Sequence, residues 1–284
     1  MTMRTAMAMT MDTGTTMARA GAGGWVRGSW SRLPMAALYV AGAAVAYALK
    51  DFYSGANADD LRWVLAPTCW LAGCLGGITF ADEAGAGFIS HAQHLVVGPA
   101  CAGLNFLIAA FAALFFSFAH RTDRGVARVA WLPTCLIVAW CGTVVTNAVR
   151  VTLAAPLYQA DIYGDLVTPA RVHRLLGTAL YCGALLALHG AVARSFAARL
   201  ARRCAGARPW QPRFRLLGSP LAFYLALALG VPLARRGLRG LDARFFEHTA
   251  MVAGTVLLLV GLGAIAKRLA NRLKSSASRG VSAS

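Results

Sequence analysis

Charge is what this chain has little of. Only 14% of its 284 residues are Asp, Glu, Lys or Arg, and only 11 are acidic, where a soluble domain carries about 25% charge. With 58% apolar residues and a mean hydropathy of +0.56, that scarcity excludes an ordinary water-soluble globular fold. The seven cysteines contain no C-x-x-C pair and no even framework, and five lie well inside apolar runs, where a small thiol is an ordinary packing residue. No cleavable signal peptide is expected, because the first apolar run begins only at Leu33 and no good cleavage site follows it. The Gly21 to Gly24 cluster is not followed by a strand–helix unit, which excludes a nucleotide-binding fingerprint.

Long apolar runs are what the chain has instead. About seven are read, at residues 33–49, 61–80, 99–118, 129–149, 173–192, 216–233 and 249–266, each close to the roughly 20 residues that cross a bilayer as a helix. The expected fold is therefore all-α, a polytopic transmembrane helical bundle of about seven spans. Residues 1–32 read as a disordered arm, 33–266 as a single transmembrane domain with a core at about 95–192, and 267–284 as a basic tail. Pro99 suits the first turn of the third span, and Gly73 with Gly77 on the second reads as a close-packing pair.

The net charge of +17 does not point to nucleic acid, because the cations are gathered in short segments between apolar runs. Arg121, Arg124 and Arg128 lie in one such segment, seven arginines in residues 194–215, and five Lys and Arg from Lys267 onward. The positive-inside rule places these three in the cytoplasm. Residues 81–100 and 156–172, with Asp82, Glu83, Asp161 and Asp165, then face outside. Seven spans would put the arm's arginines and the four in 235–244 outside, against that rule; either the arm is tolerated there, or an additional hydrophobic hairpin or re-entrant stretch near residues 84–97 changes the parity of the first two spans. The orientation of the first two spans stays open.

Three residues are expected at span ends on one membrane face: Cys101 opening the third span, Arg150 closing the fourth and His173 opening the fifth. A thiol, a guanidinium and an imidazole gathered there suit acyl transfer. The thiolate is the nucleophile, the imidazole can take and return a proton, and the guanidinium can hold an oxyanion or a carboxylate. Helical spacing adds Asn105 four residues after Cys101, Asn147 three before Arg150, and Gly177 four after His173. The two amides are expected to face inward as hydrogen-bonding support, and Gly103 and Gly177 to permit close approach of helices or substrate.

Cys101-Ala102-Gly103-Leu104-Asn105-Phe106, Asn147-Ala148-Val149-Arg150-Val151 and His173-Arg174-Leu175-Leu176-Gly177 resemble the three signature blocks of the exosortase/archaeosortase family. The resemblance covers residues 99–183, about the central third of the chain, and the sequence looks like a compact subgroup without an extra soluble domain. It implies a membrane cysteine transpeptidase with Cys101 as nucleophile and Arg150 and His173 as its partners. It further implies a site on the outer face of the inner membrane, and substrates that are exported proteins with a C-terminal hydrophobic helix and basic tail. No cofactor is implied.

A reading of another class also fits: a small transporter or non-catalytic subunit of a membrane complex, with Arg150, His173 and the acidic outer loops along a polar path. His91 and His94, three apart and near Asp82 and Glu83, have a spacing that can ligate zinc, but no third ligand at a defined distance is evident. They read better as part of a polar outer loop, and no metal is expected.

Overall fold

The computed structural model describes residues 34–203 apart from 124, 161–162 and 165–166, then 220–230, 246, and 249–269 apart from 259, 264, 266 and 267. The expected arm, the loop at 235–244, the basic tail apart from residues 268 and 269, Asp161, Asp165 and the distal part of the 194–215 segment lie outside the described residues, as do parts of the last two expected spans.

The protein is mostly helical. Helix α1 covers Met35–Gly55 and α2 Arg62–Gly76, followed by three short strands, β1 (Ala81–Glu83), β2 (Gly87–Ser90) and β3 (Leu95–Val97). A 3-10 turn at Pro99–Cys101 leads into α3 (Leu104–Phe118), a second at Ala119–Arg121 closes it, and α4 (Val126–Gln159) and α5 (Pro169–Arg203) follow. Helix α6 (Pro220–Leu225), a π-helical turn at Ala226–Gly230 and an apolar helix α7 (Thr249–Gly263) complete the described elements.

Among the described residues four segments are long and apolar enough to cross a membrane, against the seven spans expected: Met35–Gly55, Pro99–Arg121, Val126–Gln159 and Arg171–Arg199. Three of the expected spans change shape. The second stops at Gly76, where Gly77 takes a left-handed conformation with φ 65° and its N–H caps Gly73 O. Its 15 residues rise about 22 Å, short of a hydrocarbon core of about 30 Å. The fourth runs on to Gln159, so Arg150 lies inside a helix rather than at its end. The fifth continues through Arg203, so the first arginines of the expected cytoplasmic loop are helical.

The centre of the bundle is α3. Its apolar residues run all round the helix, which is the pattern of an element enclosed on every side, and α1, α4, α5 and α6 pack against it. The Pro99–Arg121 segment is 72% buried, against 11 to 28% for the other three candidate spans. Phe106, Phe111, Phe115 and Phe118 fill the spaces to its neighbours. Apolar side chains such as Ile137, Val145 and Leu153 on α4 stay exposed, as a lipid-facing helix surface requires.

The segment at 81–97 departs from the all-α expectation. It forms an antiparallel meander in the order β1-β2-β3, with Ala81 opposite Ile89 and Phe88 opposite Val97. Phe88 and Val97 are buried with Leu61, Val64, Leu65 and Ala72 in a second apolar cluster that also takes in Leu104, Val144 and Val151. Arg62 of α2 pairs with Asp82 of β1, and the Asp59 carboxylate accepts the Gly85 N–H at 3.1 Å. The meander is thus fastened over one end of the bundle, beside the start of α3.

Candidate active site

The chain enters α3 through a sharp change of direction. Cys101 N–H bonds to Gly98 O at 2.9 Å and closes the 3-10 turn, and Gly103 then adopts φ 69° before the helix begins. A β-carbon at Gly103 would lie 2.4 Å from Asn147 Nδ2. Only glycine satisfies both the left-handed backbone and that contact. The close approach lets Asn147, 1% exposed in mid-helix, donate from Nδ2 to Ala102 O at 2.8 Å, fixing the turn that carries Cys101.

A directed set of hydrogen bonds extends from that amide. Tyr181 Oη donates to Asn147 Oδ1 at 2.7 Å and accepts from Arg150 Nη1 at 2.8 Å. Arg150 Nη2 contacts His173 Nε2. A guanidinium can only donate, so Nε2 is the unprotonated nitrogen and the network assigns the imidazole proton to Nδ1. Nδ1 lies 2.7 Å from Tyr158 Oη, to which it donates. The phenyl ring of Phe106 stacks on Tyr181 with centroids 5.0 Å apart, holding the phenol level with the guanidinium. Gly177 on α5 leaves room for that guanidinium, since a β-carbon there would meet Arg150 Nε at 3.2 Å.

Cys101, Arg150 and His173 all line one cavity of about 530 Å³, together with Asn147, Tyr158 and the strand residues Leu95, Val96 and Val97. Volumes of this order suit small-molecule and peptide segments. Cys101 is half-buried and its thiol is free. Among the described residues, His173 bonds to Arg150 and Tyr158, and no hydrogen bond joins it to Cys101. For the imidazole to accept a proton from the thiol, its Nε2 lone pair would have to exchange Arg150 for Cys101.

Two expected placements change. Asn105 does not face the cavity: it is exposed, and its Oδ1 accepts from Lys50 Nζ of α1 at 2.9 Å. The i, i+4 relation to Cys101 fails because Gly103 breaks the helix between them. His91 and His94 diverge, His91 pairing with Glu83 at 3.2 Å on the surface while His94, at φ 51°, lines the cavity. Among the described residues no group of three His, Cys, Asp or Glu side chains is placed to hold a metal ion.

Tyr158 and Tyr181 are the partners that spacing alone did not single out. Tyr158 lies eight residues after Arg150 on α4, and Tyr181 eight after His173 and four after Gly177 on α5, so each shares a helix face with a residue already marked. No family model, curated protein or solved structure matches this chain.

Proposed function

We propose that the protein is a membrane-embedded cysteine transpeptidase or peptidase acting on the C-terminal region of exported proteins. The observation that carries this reading is the convergence of Cys101, Arg150 and His173 on one cavity, from three segments far apart in sequence. The Cys101 thiolate attacks the scissile carbonyl carbon, the C–N bond breaks, and the departing amine takes the proton that His173 received from the thiol. The acyl group remains as a thioester on Cys101 until an acceptor amine forms a new amide, or water a carboxylate. Arg150 keeps the terminal N–H groups that Tyr181 and His173 do not engage as donors for the tetrahedral oxyanion.

The distribution of cations supports a site open to the extracytoplasmic face of the inner membrane. Helix α3 carries the chain about 22 Å from the Cys101 turn to Arg121. There Arg121 and Arg199 line a second cavity with Trp131 and Phe196. By the positive-inside rule that arginine-bearing end is cytoplasmic, and the Cys101 end is the outer one.

Trapping the thioester tests the chemistry directly. Cells expressing the protein are treated with hydroxylamine, which competes with the natural acceptor, and protein C-termini are searched for hydroxamates by mass spectrometry. Hydroxamates that vanish in Cys101→Ser cells are expected. Their absence, with the protein present and candidate substrates expressed, contradicts a thioester route.

A further inference from the structure

From the meander's outer edge we infer how a substrate is held: an extended stretch of the substrate chain, next to its scissile bond, adds as a fourth strand along β3. This rests on the peptidase reading above and names the form of substrate that the site takes. Strand β3 is the last of the order β1-β2-β3, so one side of it pairs with β2 and the other has no strand partner among the described residues. That open side belongs to the candidate site, because Gln93, His94, Leu95, Val96 and Val97 form a continuous wall of the cavity that holds Cys101, Arg150 and His173.

The chain connects the two directly. Cys101 follows Val97 by four positions, through Gly98 in an extended conformation (φ −109°, ψ −164°) and the turn at Pro99–Cys101. A peptide laid along β3 therefore runs toward the thiol without leaving the cavity. Val96 is 55% exposed although it is apolar and sits in a strand whose next residue is fully buried, and Val151 and Ala154 of α4 form a facing apolar wall. Such a slot suits small or apolar side chains on an extended backbone. Edge-strand N–H and C=O groups are a ready template for an incoming strand, and at a membrane surface they gain most from being paired.

Strand addition makes a pattern that simple cavity filling does not. In a strand only alternate residues direct their N–H and C=O toward a given neighbour. The probes are acetyl-tetra-alanyl chloromethyl ketone, whose chloromethyl carbon alkylates a thiolate with loss of chloride, and two twins of it, N-methylated on the odd or on the even amides. The full chain in detergent micelles is exposed to each, and alkylation of Cys101 is followed by mass spectrometry with exposed Cys74 and Cys141 as internal references and chloroacetone as the non-peptide control.

The expected result is that the parent peptide labels Cys101 faster than chloroacetone does, relative to the references. One twin should lose about tenfold in rate, the size of about one hydrogen bond, while the other stays within about threefold. Equal rates for both twins, whether both retained or both lost, overturn strand addition, as does a parent peptide no faster than chloroacetone. The hydroxylamine experiment in cells reads the peptidase chemistry separately. Hydroxamates found there together with equal twins would sink the strand docking and leave the peptidase standing.

Discussion

Arg150 Nη1 lies 2.8 Å from the phenol oxygen of Tyr181, and this contact ties α4 to α5 at the level of the candidate nucleophile. The phenol passes the connection to Asn147, and Asn147 passes it to the carbonyl of Ala102, so the position of the Cys101 turn and that of the guanidinium are linked through one hydroxyl.

Tyr181→Phe removes that hydroxyl and keeps the ring stacked on Phe106. It leaves Asn147 Oδ1 and Arg150 Nη1 without their partner in a buried setting, a loss of about 1–3 kcal/mol. A lower unfolding midpoint in detergent is expected, together with turnover reduced about tenfold or more. An unchanged midpoint and turnover would mean that the two helices are held by packing alone.

Gly103→Ala should be the most damaging single-methyl change in the core of the site. It asks an L-residue to hold φ 69° and pushes a β-carbon into Asn147, at a cost of about 1–3 kcal/mol from the backbone alone. Adding Asn147→Ala relieves the contact but not the backbone, so the double variant is expected to recover part of the unfolding midpoint and none of the activity. Full tolerance of Gly103→Ala would contradict the geometry of the turn.

Arg150→Lys keeps the charge and loses the fork. The guanidinium addresses Tyr181 with one terminal nitrogen and His173 with the other, which a single ammonium cannot reproduce with the same planarity. Activity at least about tenfold below wild type is expected with normal insertion. A fully active lysine variant would reduce Arg150 to a helix-surface anchor.

The pattern of thiol labelling tests the orientation. A membrane-impermeant maleimide added to intact spheroplasts is expected to modify Cys101, which faces the cavity, while Cys69, Cys135 and Cys182, all buried, stay unmodified. Modification of Cys101 only after the membrane is opened would reverse the assignment of faces.

Apolar runs made the helices legible in the sequence, since a bilayer-length stretch has few other ways to satisfy its backbone. The convergence of three such segments was legible too, because antiparallel neighbours return to one face. Interruptions were harder to read. The end of α2 depends on Gly77 adopting a left-handed turn, and the extension of α4 to Gln159 carries Pro156 inside the helix, where proline ordinarily signals a stop. The meander at 81–97 hid among mixed polar and small residues, with strands of three or four residues too short to show an alternation. Asn105 departs from its spacing for a related reason: an i, i+4 relation to Cys101 holds only in a continuous helix, and this helix begins after Gly103.

The most direct test of the central claim is mass spectrometry of protein C-termini from cells carrying the wild-type protein or Cys101→Ala, at equal and confirmed expression. At least one exported protein is expected to keep its hydrophobic, basic tail only in the Cys101→Ala cells, with the wild-type C-terminus marking the scissile bond. If no C-terminus differs between the two while candidate substrates are expressed, the peptidase reading is contradicted and a polar path for transport becomes the better account of the cavity.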